Sequence, residues 1–343
     1  MKFRATLKSD YDGFGTTNNL PNWIYTGGGF NDGSYEPSAL NVDKYARFLA
    51  DYLKHMSDNG VPISVLSVSK EWQQVFDANN ERFVIESLTQ LLQTNAYAGT
   101  PVPSFSGPSS WGVRGAARFI QDMIGLGGLG LYTGISTHSY DGLIESDWAT
   151  LIQRANGQGQ PVWHTEISIG AGGRFNGAEP PITSPVDRFM DFSTWYRQGV
   201  QGGLFFELWS RGVDSETRAV YFTRNTAGVR LRAYYLMKQF ANNAADSTYI
   251  PSTSTGINGV EVMSFRQGNK LIVWITNGTD SSVSDITVNL NGARFANNQI
   301  DRLAWASWSG AIGYSSIETV DSDARFTTSI GSKVIASYVF EID

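Results

Sequence analysis

The sequence contains no cysteine and only three histidines, His55, His138 and His164. The absence of cysteine excludes disulfide scaffolds, thiolate zinc sites and cysteine nucleophiles, and so few histidines argue against most multi-histidine metal centres. Basic residues are also outnumbered, with 26 Lys and Arg against 32 Asp and Glu and a formal charge of −6. A chain without a basic excess is poorly suited to binding nucleic acid or an anionic membrane surface. The composition therefore predicts no metal site and no nucleic-acid partner.

Long hydrophobic runs are missing too. No stretch reaches the roughly 18 consecutive apolar residues that indicate a membrane-spanning helix, so we expect no membrane insertion. The first residues, MKFRATLKSDYDG, lack the apolar run of about 7 to 15 residues that a signal peptide needs. Charged residues make up 17% of the chain, below the roughly 25% of an average protein, whereas aromatic residues reach 13%. The chain is thus rich in flat apolar rings, and its carboxylates are the most plausible chemical groups.

The first 242 residues alternate short apolar runs with amphipathic segments. Such alternation is typical of a parallel α/β architecture, in which each strand is followed by a helix. Asn41 is suited to capping the first helix. The predicted strands cover residues 3–7, 62–69, 101–105, 131–138, 161–167 and 203–209, and the predicted helices cover 42–58, 81–93, 113–124, 145–155, 185–198 and 227–240.

The pattern changes after residue 242. Residues 243–258 are small and polar and are typical of a linker or an inter-domain strand. From residue 259 onward the apolar residues follow a period of two, and residues 267–270 form a candidate hairpin turn. We therefore predict a (β/α) barrel domain over residues 1–242 and an antiparallel β-sandwich domain over residues 243–343.

The motif GLGGLG at residues 125–130 has the spacing of a dinucleotide-binding loop. That function requires a strand before the glycines and a helix after them, because the helix N-terminus receives the pyrophosphate. Here a predicted helix precedes the motif and a strand follows it. The motif therefore indicates a helix end followed by a turn. His164, on a buried strand, is in the same way better explained as a core residue than as a ligand.

Two glutamates follow the apolar interiors of predicted strands. Glu71 ends the run Ser-Val-Ser-Lys-Glu, and Glu166 ends Val-Trp-His-Thr-Glu. Reactive groups of α/β barrels lie at the C-terminal ends of the strands, and two carboxyl groups about 5 to 5.5 Å apart there would form a retaining glycosidase pair. For a single glutamate, capping a helix or pairing with arginine is the better interpretation. Two such residues, each near Trp and Ser or Thr, favour a catalytic function.

Other strand ends and adjoining loops supply side chains that a sugar site would use. Aromatic rings can stack on the apolar faces of pyranose rings, although core packing is at least as good an explanation for any single ring. Glu207, near the end of the sixth predicted strand, is a further carboxylate that could take one of the two catalytic roles. The candidate substrate-binding residues of this group are Trp23, Trp72, Trp111, His138, Tyr140, Glu207 and Trp209.

Taken in order, these short motifs resemble the retaining glycoside hydrolases of the large (β/α)8-barrel clan, most closely family 30. The matching segments are LPNW at 20–23, GGG at 27–29, YARFLADY at 45–52, GVPI at 60–63, SVSKE at 67–71, THSY at 137–140 and WHTE at 163–166. The resemblance implies a secreted or extracellular, cofactor-free enzyme that hydrolyses a polysaccharide or oligosaccharide by double displacement. It assigns Glu71 as the general acid/base and Glu166 as the nucleophile, with Tyr140 near the nucleophile.

The sequence departs from the family pattern at the predicted acid/base and at the start of the barrel. Lys70 stands where the family has Asn, so we expect either a different contact to the sugar 2-hydroxyl or an anionic substrate. Trp72 stands where the family has Pro. Only six β/α units are recognisable, two fewer than a closed barrel needs, which predicts exposed edges covered by a second copy of the chain. The alternative is a non-catalytic carbohydrate-binding or assembly protein derived from the same barrel.

Overall fold

The structure is a computed structural model that describes residues 5–6, 24, 40–69, 76–141, 145–167, 183–205, 209–210, 221–222, 229–230, 232–306 and 314–343. The chain divides into two compact units, Met1–Glu166 with Gly199–Leu204 and Ile167–Gln198 with Phe205–Asp343. The sequence-based domain boundary at residue 242 stays a prediction.

The first unit is built on a parallel sheet whose strands follow one another in chain order. The strands are β1 (Ala5–Thr6), β2 (Val65–Ser67), β3 (Ser104–Ser110), β4 (Tyr132–Thr137), β5 (Val162–Ile167) and β6 (Gly202–Phe205). Pairing is parallel from β1 through β5. The helices between these strands are α1 (Val42–Asp58), α2 (Ala78–Leu92), α3 (Val113–Gly125) and α4 (Glu145–Asn156). Sequential parallel strands joined by helices form an incomplete (β/α) barrel, which confirms the predicted fold class.

Local capping explains where these helices begin and end. Asn41 Oδ1 accepts a hydrogen bond from the Lys44 amide at 3.0 Å, so α1 begins as predicted. Asp77 caps α2 in the same way, which starts that helix at Ala78, earlier than the predicted residue 81. Helix α3 ends within the GLGGLG motif, where Gly127 has a φ of +66°. The motif is therefore a helix end and turn, as its order predicted.

The second unit contains two helices and an antiparallel β-sandwich. Its helices are α5 (Thr183–Gln198) and α6 (Arg232–Ala244), and β7 (Trp209–Ser210), β8 (Tyr221–Phe222) and β9 (Val229–Arg230) form a small three-stranded sheet. The predicted helix start at residue 227 was wrong, because Val229 and Arg230 pair with β8. The sandwich strands are β10 (Thr248–Ile250), β11 (Val260–Gln267), β12 (Lys270–Asn277), β13 (Val283–Asn289), β14 (Gln299–Ala306), β15 (Tyr314–Thr319), β16 (Arg325–Ile330) and β17 (Val334–Glu341).

One sandwich sheet has the order β10-β11-β12-β17-β14-β15, and β13 pairs with β16 in the other. The predicted hairpin joins β11 to β12, with Gly268 at a φ of +63°. Strand β12 is buried on both faces. Leu271, Val273 and Ile275 belong to the sandwich core, whereas the Trp274 ring lies 5.4 Å from Phe189 of α5 and 5.4 Å from Phe240 of α6.

None of the helices in the described ranges is long and apolar enough to cross a lipid bilayer.

Candidate active site

Glu166, which the family resemblance assigns as the nucleophile, lies near the C-terminal end of β5. Val162, His164 and Glu166 share one face of this strand because alternate residues of a strand point the same way, and all three are buried. The Glu166 residue is 7% exposed. The register pairs His164 with Thr137, so the segment that follows β4 begins next to the end of β5.

Both oxygens of the Glu166 carboxyl contact side chains from that segment. The Tyr140 hydroxyl donates a hydrogen bond to Oε1 at 2.9 Å, and His138 Nδ1 lies 3.3 Å from Oε2. The rings of His138 and Tyr140 meet edge to face with centroids 5.7 Å apart. A carboxylate contacted at both oxygens has little rotational freedom, which suits a group that must attack along a fixed line.

The segment carrying these side chains is fastened to the end of β3 and the start of α3. The His138 amide donates to the Ser110 carbonyl at 2.8 Å, and the Tyr140 amide donates to the Trp111 carbonyl at 3.1 Å. The Asp141 carboxylate accepts hydrogen bonds from the Val113 and Arg114 amides at 3.0 and 3.1 Å. Asp141 therefore caps α3 from a distant part of the chain and holds Tyr140 in place.

Trp111 adds an exposed aromatic surface beside Tyr140, whose hydroxyl contacts the carboxylate. Its residue is 51% exposed, and its ring centroid lies 6.0 Å from that of Tyr140, which is itself 36% exposed. Large exposed rings can stack on the apolar face of a sugar. This surface is the best support within the site for a carbohydrate ligand.

His164 is a core residue, as predicted. It is buried, its Nε2 lies 2.8 Å from Ser139 Oγ, and its ring stacks on Trp148 at 5.7 Å. Ser139 sits between His138 and Tyr140 in the sequence. His164 thus supports the same segment that contacts Glu166.

The structure brings together four of the predicted site residues, namely Trp111, His138, Tyr140 and Glu166. Of Trp209 it describes only the backbone, which pairs with Tyr221 in β7 and β8. The separation of the two predicted catalytic carboxyls stays a prediction, because Glu71 lies outside the described residues. The other predicted site residues outside the described ranges are Trp23, Lys70, Trp72 and Glu207.

Sequence reasoning missed a second buried carboxyl, Glu81 of α2. Its Oε2 lies 2.6 Å from Ser69 Oγ, and the Tyr132 hydroxyl donates to its Oε1 at 2.6 Å. Burial raises the pKa of Glu81 to about 7, although the hydrogen bonds from Ser69 and Tyr132 act in the opposite direction. The available signal was its position on the apolar stripe of α2, three residues after Ala78 and three before Val84.

Within the described parts of the chain, no group of three or more Asp, Glu or His residues could hold a metal ion.

Comparisons with known proteins give similarity in structure only. No protein-family model matches the chain, and no curated protein matches it in sequence. A glycoside hydrolase family 30 subfamily 8 xylanase from Clostridium acetobutylicum is 17% identical, with a TM-score of 0.72 over 94% of this chain and 78% of the xylanase. The catalytic domain of the family 30 xylanase C from Talaromyces cellulolyticus is 15% identical, with a TM-score of 0.69 over 94% of this chain and 74% of that one.

A conserved exported protein from Bacteroides fragilis is also similar, at 11% identity and a TM-score of 0.63 over 94% of this chain and 74% of that protein. The chain therefore has a fold similar to that of glycoside hydrolase family 30 xylanases. In this chain the fold consists of an incomplete (β/α) barrel and an antiparallel β-sandwich.

Proposed function

We propose that this protein is a retaining β-glycoside hydrolase, with residues 1–242 as its catalytic barrel and residues 243–343 as its side domain. The observation that carries the proposal is the buried Glu166 carboxyl near the end of a parallel strand, contacted at both oxygens, with the exposed Trp111 ring 6.0 Å from the ring of Tyr140, one of the two contacting residues. Strand C-termini are where barrels of this type carry their reactive groups.

The proposed reaction proceeds by double displacement with inversion at each step. Glu166 attacks the anomeric carbon, the glycosidic C–O bond breaks, and Glu71 gives its proton to the leaving oxygen. Glu71 then takes a proton from water, the water oxygen attacks the anomeric carbon, and the bond to Glu166 breaks. The Tyr140 hydrogen bond supports this assignment because it holds one Glu166 oxygen while the carboxylate reacts.

The proposed substrate is a β-linked polysaccharide or oligosaccharide outside the cell. Two neighbours in fold are named as xylanases and a third as an exported protein, so xylan is the first glycan to test. Trp111 would stack on one sugar unit, and Trp23, Trp72, Glu207 and Trp209 would extend the binding surface. Lys70 would contact a hydroxyl or an anionic substituent of the sugar.

Substitution of the two carboxylates tests the proposal. We expect Glu166→Ala and Glu71→Ala each to lower kcat on aryl β-glycosides by at least about a thousandfold without loss of folded structure. Glu86→Gln on the outer face of α2 is the matched control and should leave kcat unchanged. Azide should restore turnover in both variants. In Glu166→Ala it replaces the nucleophile, so the glycosyl azide should have inverted configuration; in Glu71→Ala it replaces the water, so the configuration should be retained.

Near-normal turnover of either carboxylate variant would contradict the assignment. If the wild-type protein binds xylan or another glycan but hydrolyses none of a broad panel, the non-catalytic carbohydrate-binding or assembly protein is the better description.

We also propose that a second copy of the chain covers the outer strands of the parallel sheet. In the described part of that sheet the outer strands are β1 and β6, and strand edges offer N–H and C=O groups to another chain. Sedimentation at micromolar concentration should give the mass of a dimer, and a monomeric mass would contradict this proposal.

A further inference from the structure

The end of β2 is held by buried hydrogen bonds from several elements. The Tyr45 hydroxyl of α1 donates to the Val68 carbonyl at 2.7 Å, and Ser67 Oγ donates to the Ser69 carbonyl at 3.0 Å. Ser67 Oγ also lies 2.6 Å from Ser109 Oγ of β3. The chain continues directly from Ser69 into Lys70 and Glu71, so whatever fixes Ser69 fixes the start of the segment that carries the proposed acid/base.

Glu81 is the group through which α2 holds Ser69. Its side chain is fully buried, and it contacts Ser69 at the end of β2 and Tyr132 of β4. A Cβ added at Gly107 of β3 would collide with Glu81 Oε1 and lie 2.7 Å from the Tyr132 hydroxyl oxygen. The carboxyl therefore occupies a closed space between one helix and three strands, and β3 leaves room for it through a glycine.

The number of protons in this cluster indicates the charge of Glu81. Ser69 Oγ lies 2.6 Å from Glu81 Oε2 and 2.9 Å from the Pro108 carbonyl oxygen, but a serine hydroxyl has one proton to donate. If Glu81 is ionised, one of these two contacts has no proton. If Oε2 carries a proton, Glu81 donates to Ser69, Ser69 donates to Pro108, and Tyr132 donates to Oε1, so every contact is satisfied.

The surroundings of Glu81 agree with the neutral form. Burial is the largest cause of its raised pKa, and the groups that contact it are the hydroxyls of Ser69 and Tyr132. The pKa of Tyr132 is itself raised well above its usual value by burial and by Glu81, so that hydroxyl stays a donor. The charged residues of α1 and α3, the helices that pack on α2, are all exposed or half-buried.

We propose that Glu81 is a positioning residue of the site: as a neutral carboxylic acid it donates to Ser69 and accepts from Tyr132, and it thereby fixes the strand end that leads into Lys70 and Glu71. The positioning role rests on the proposed function, whereas the protonation of Glu81 and its hold on β2 do not. Ionisation removes the proton that Glu81 donates to Ser69, leaves the single Ser69 proton for two acceptors, and places a charge in the closed space, so the strand end loosens as the pH rises.

The first experiment measures the proton itself and needs no activity. Infrared difference spectra of the full chain, recorded from about pH 5 to about pH 9, should show a protonated carboxyl band that is lost with a midpoint near pH 7. Glu81→Gln should lack this band, and Glu86→Gln, which changes an exposed carboxyl on the same helix, should retain it. Tyr132→Phe should raise the midpoint because it removes a donor to the carboxylate. The absence of such a band, or its persistence in Glu81→Gln, would overturn the inference.

The second experiment measures the strand end. At each pH the hydrogen exchange of a peptide covering residues 65–69 is divided by the intrinsic rate, which itself rises with pH. Protection should fall at least about tenfold above the midpoint in the wild type, but not in Glu81→Gln, whose neutral amide can still donate to Ser69 and accept from Tyr132. On any glycan that is hydrolysed, kcat of the wild type should fall across the same pH range, and Glu81→Gln should lose this limb. A folded Glu81→Leu variant with unchanged exchange and unchanged kcat would refute the positioning role. If no glycan is hydrolysed, the infrared band and the exchange rates still decide the charge of Glu81 and its hold on β2.

Discussion

The hydrogen bond from Tyr140 to Glu166 offers a direct test of the proposed chemistry. Tyr140→Phe removes one hydroxyl and keeps the ring, so the contacts of the ring with Trp111 and His138 remain. The lost bond is 2.9 Å long and ends on a carboxyl that is 7% exposed, where water cannot readily replace it. A hydrogen bond to a charged group contributes about 1.5 to 3 kcal/mol, which corresponds to about ten- to a hundredfold in rate.

The two halves of the reaction should respond differently to this loss. In the first step of the proposed reaction Glu166 gives up its charge as it attacks the sugar, so the hydrogen bond weakens on the way to that transition state. In the second step Glu166 departs as a carboxylate, and the bond strengthens as the charge returns. Tyr140→Phe should therefore slow hydrolysis of the glycosyl-enzyme by up to about a hundredfold, and it should lower kcat more than kcat/KM.

Rapid-mixing kinetics with an activated aryl β-glycoside provide the measurement. We expect a burst of aryl release in Tyr140→Phe followed by slow steady turnover, because the covalent intermediate accumulates. Tyr97→Phe is the matched control, since the Tyr97 hydroxyl also donates to a carboxylate, that of Asp51 in α1, at 2.8 Å. An unchanged kcat in Tyr140→Phe, or an equal loss in Tyr97→Phe, would refute the assigned role.

Three further predictions concern stability. Burial raises the pKa of Glu81 from the usual 4.5 to about 7, so the folded state binds the proton more tightly than the unfolded chain does. The stabilisation that results is complete below about pH 4.5 and is lost by about pH 7. Urea unfolding should show a loss of about 3 kcal/mol over that range in the wild type and none from this group in Glu81→Gln. Gly134→Ala should lower the free energy of unfolding by about 1 to 3 kcal/mol because the new Cβ would lie 2.6 Å from the Trp163 ring. Gly130→Ala, with no atom within 4 Å of its Cβ, is the control and should be near neutral. Equal shifts of the thermal midpoint in the two variants would contradict this prediction. Trp274→Ala should lower the free energy of unfolding by about 3 to 5 kcal/mol, since its ring is fully buried against α5 and α6, and a cost below about 1 kcal/mol in urea unfolding would rule out this packing.

Features set by neighbouring residues could be predicted from the sequence. The cap at Asn41, the turn at Gly127 and the hairpin at Gly268 each depend on side chains or backbone angles within a few residues. The alternation of strands and helices likewise predicted the parallel sheet, because apolar periodicity is a local pattern. These elements were enough to place Glu166 near the end of a strand.

Features set by distant pairing could not be predicted in this way. Val229 and Arg230 have a helical pattern, but their pairing with β8 makes them a strand. From residue 259 onward the sequence predicted apolar residues with a period of two, yet both faces of β12 are buried, one of them by α5 and α6. Glu81, in the first turn of α2, has the sequence context of a surface carboxylate that favours a helix N-terminus.

The sequence by itself determined which residue types stand at the strand ends, and from these came the prediction that carboxylates are the reactive groups. Only the tertiary structure decided their partners: Tyr140 and His138 at the Glu166 carboxyl, Ser69 and Tyr132 at Glu81. These contacts join residues 12 to 51 positions apart in the chain. Strand register and helix packing set such contacts, and the same contacts decide whether a carboxyl is charged or neutral.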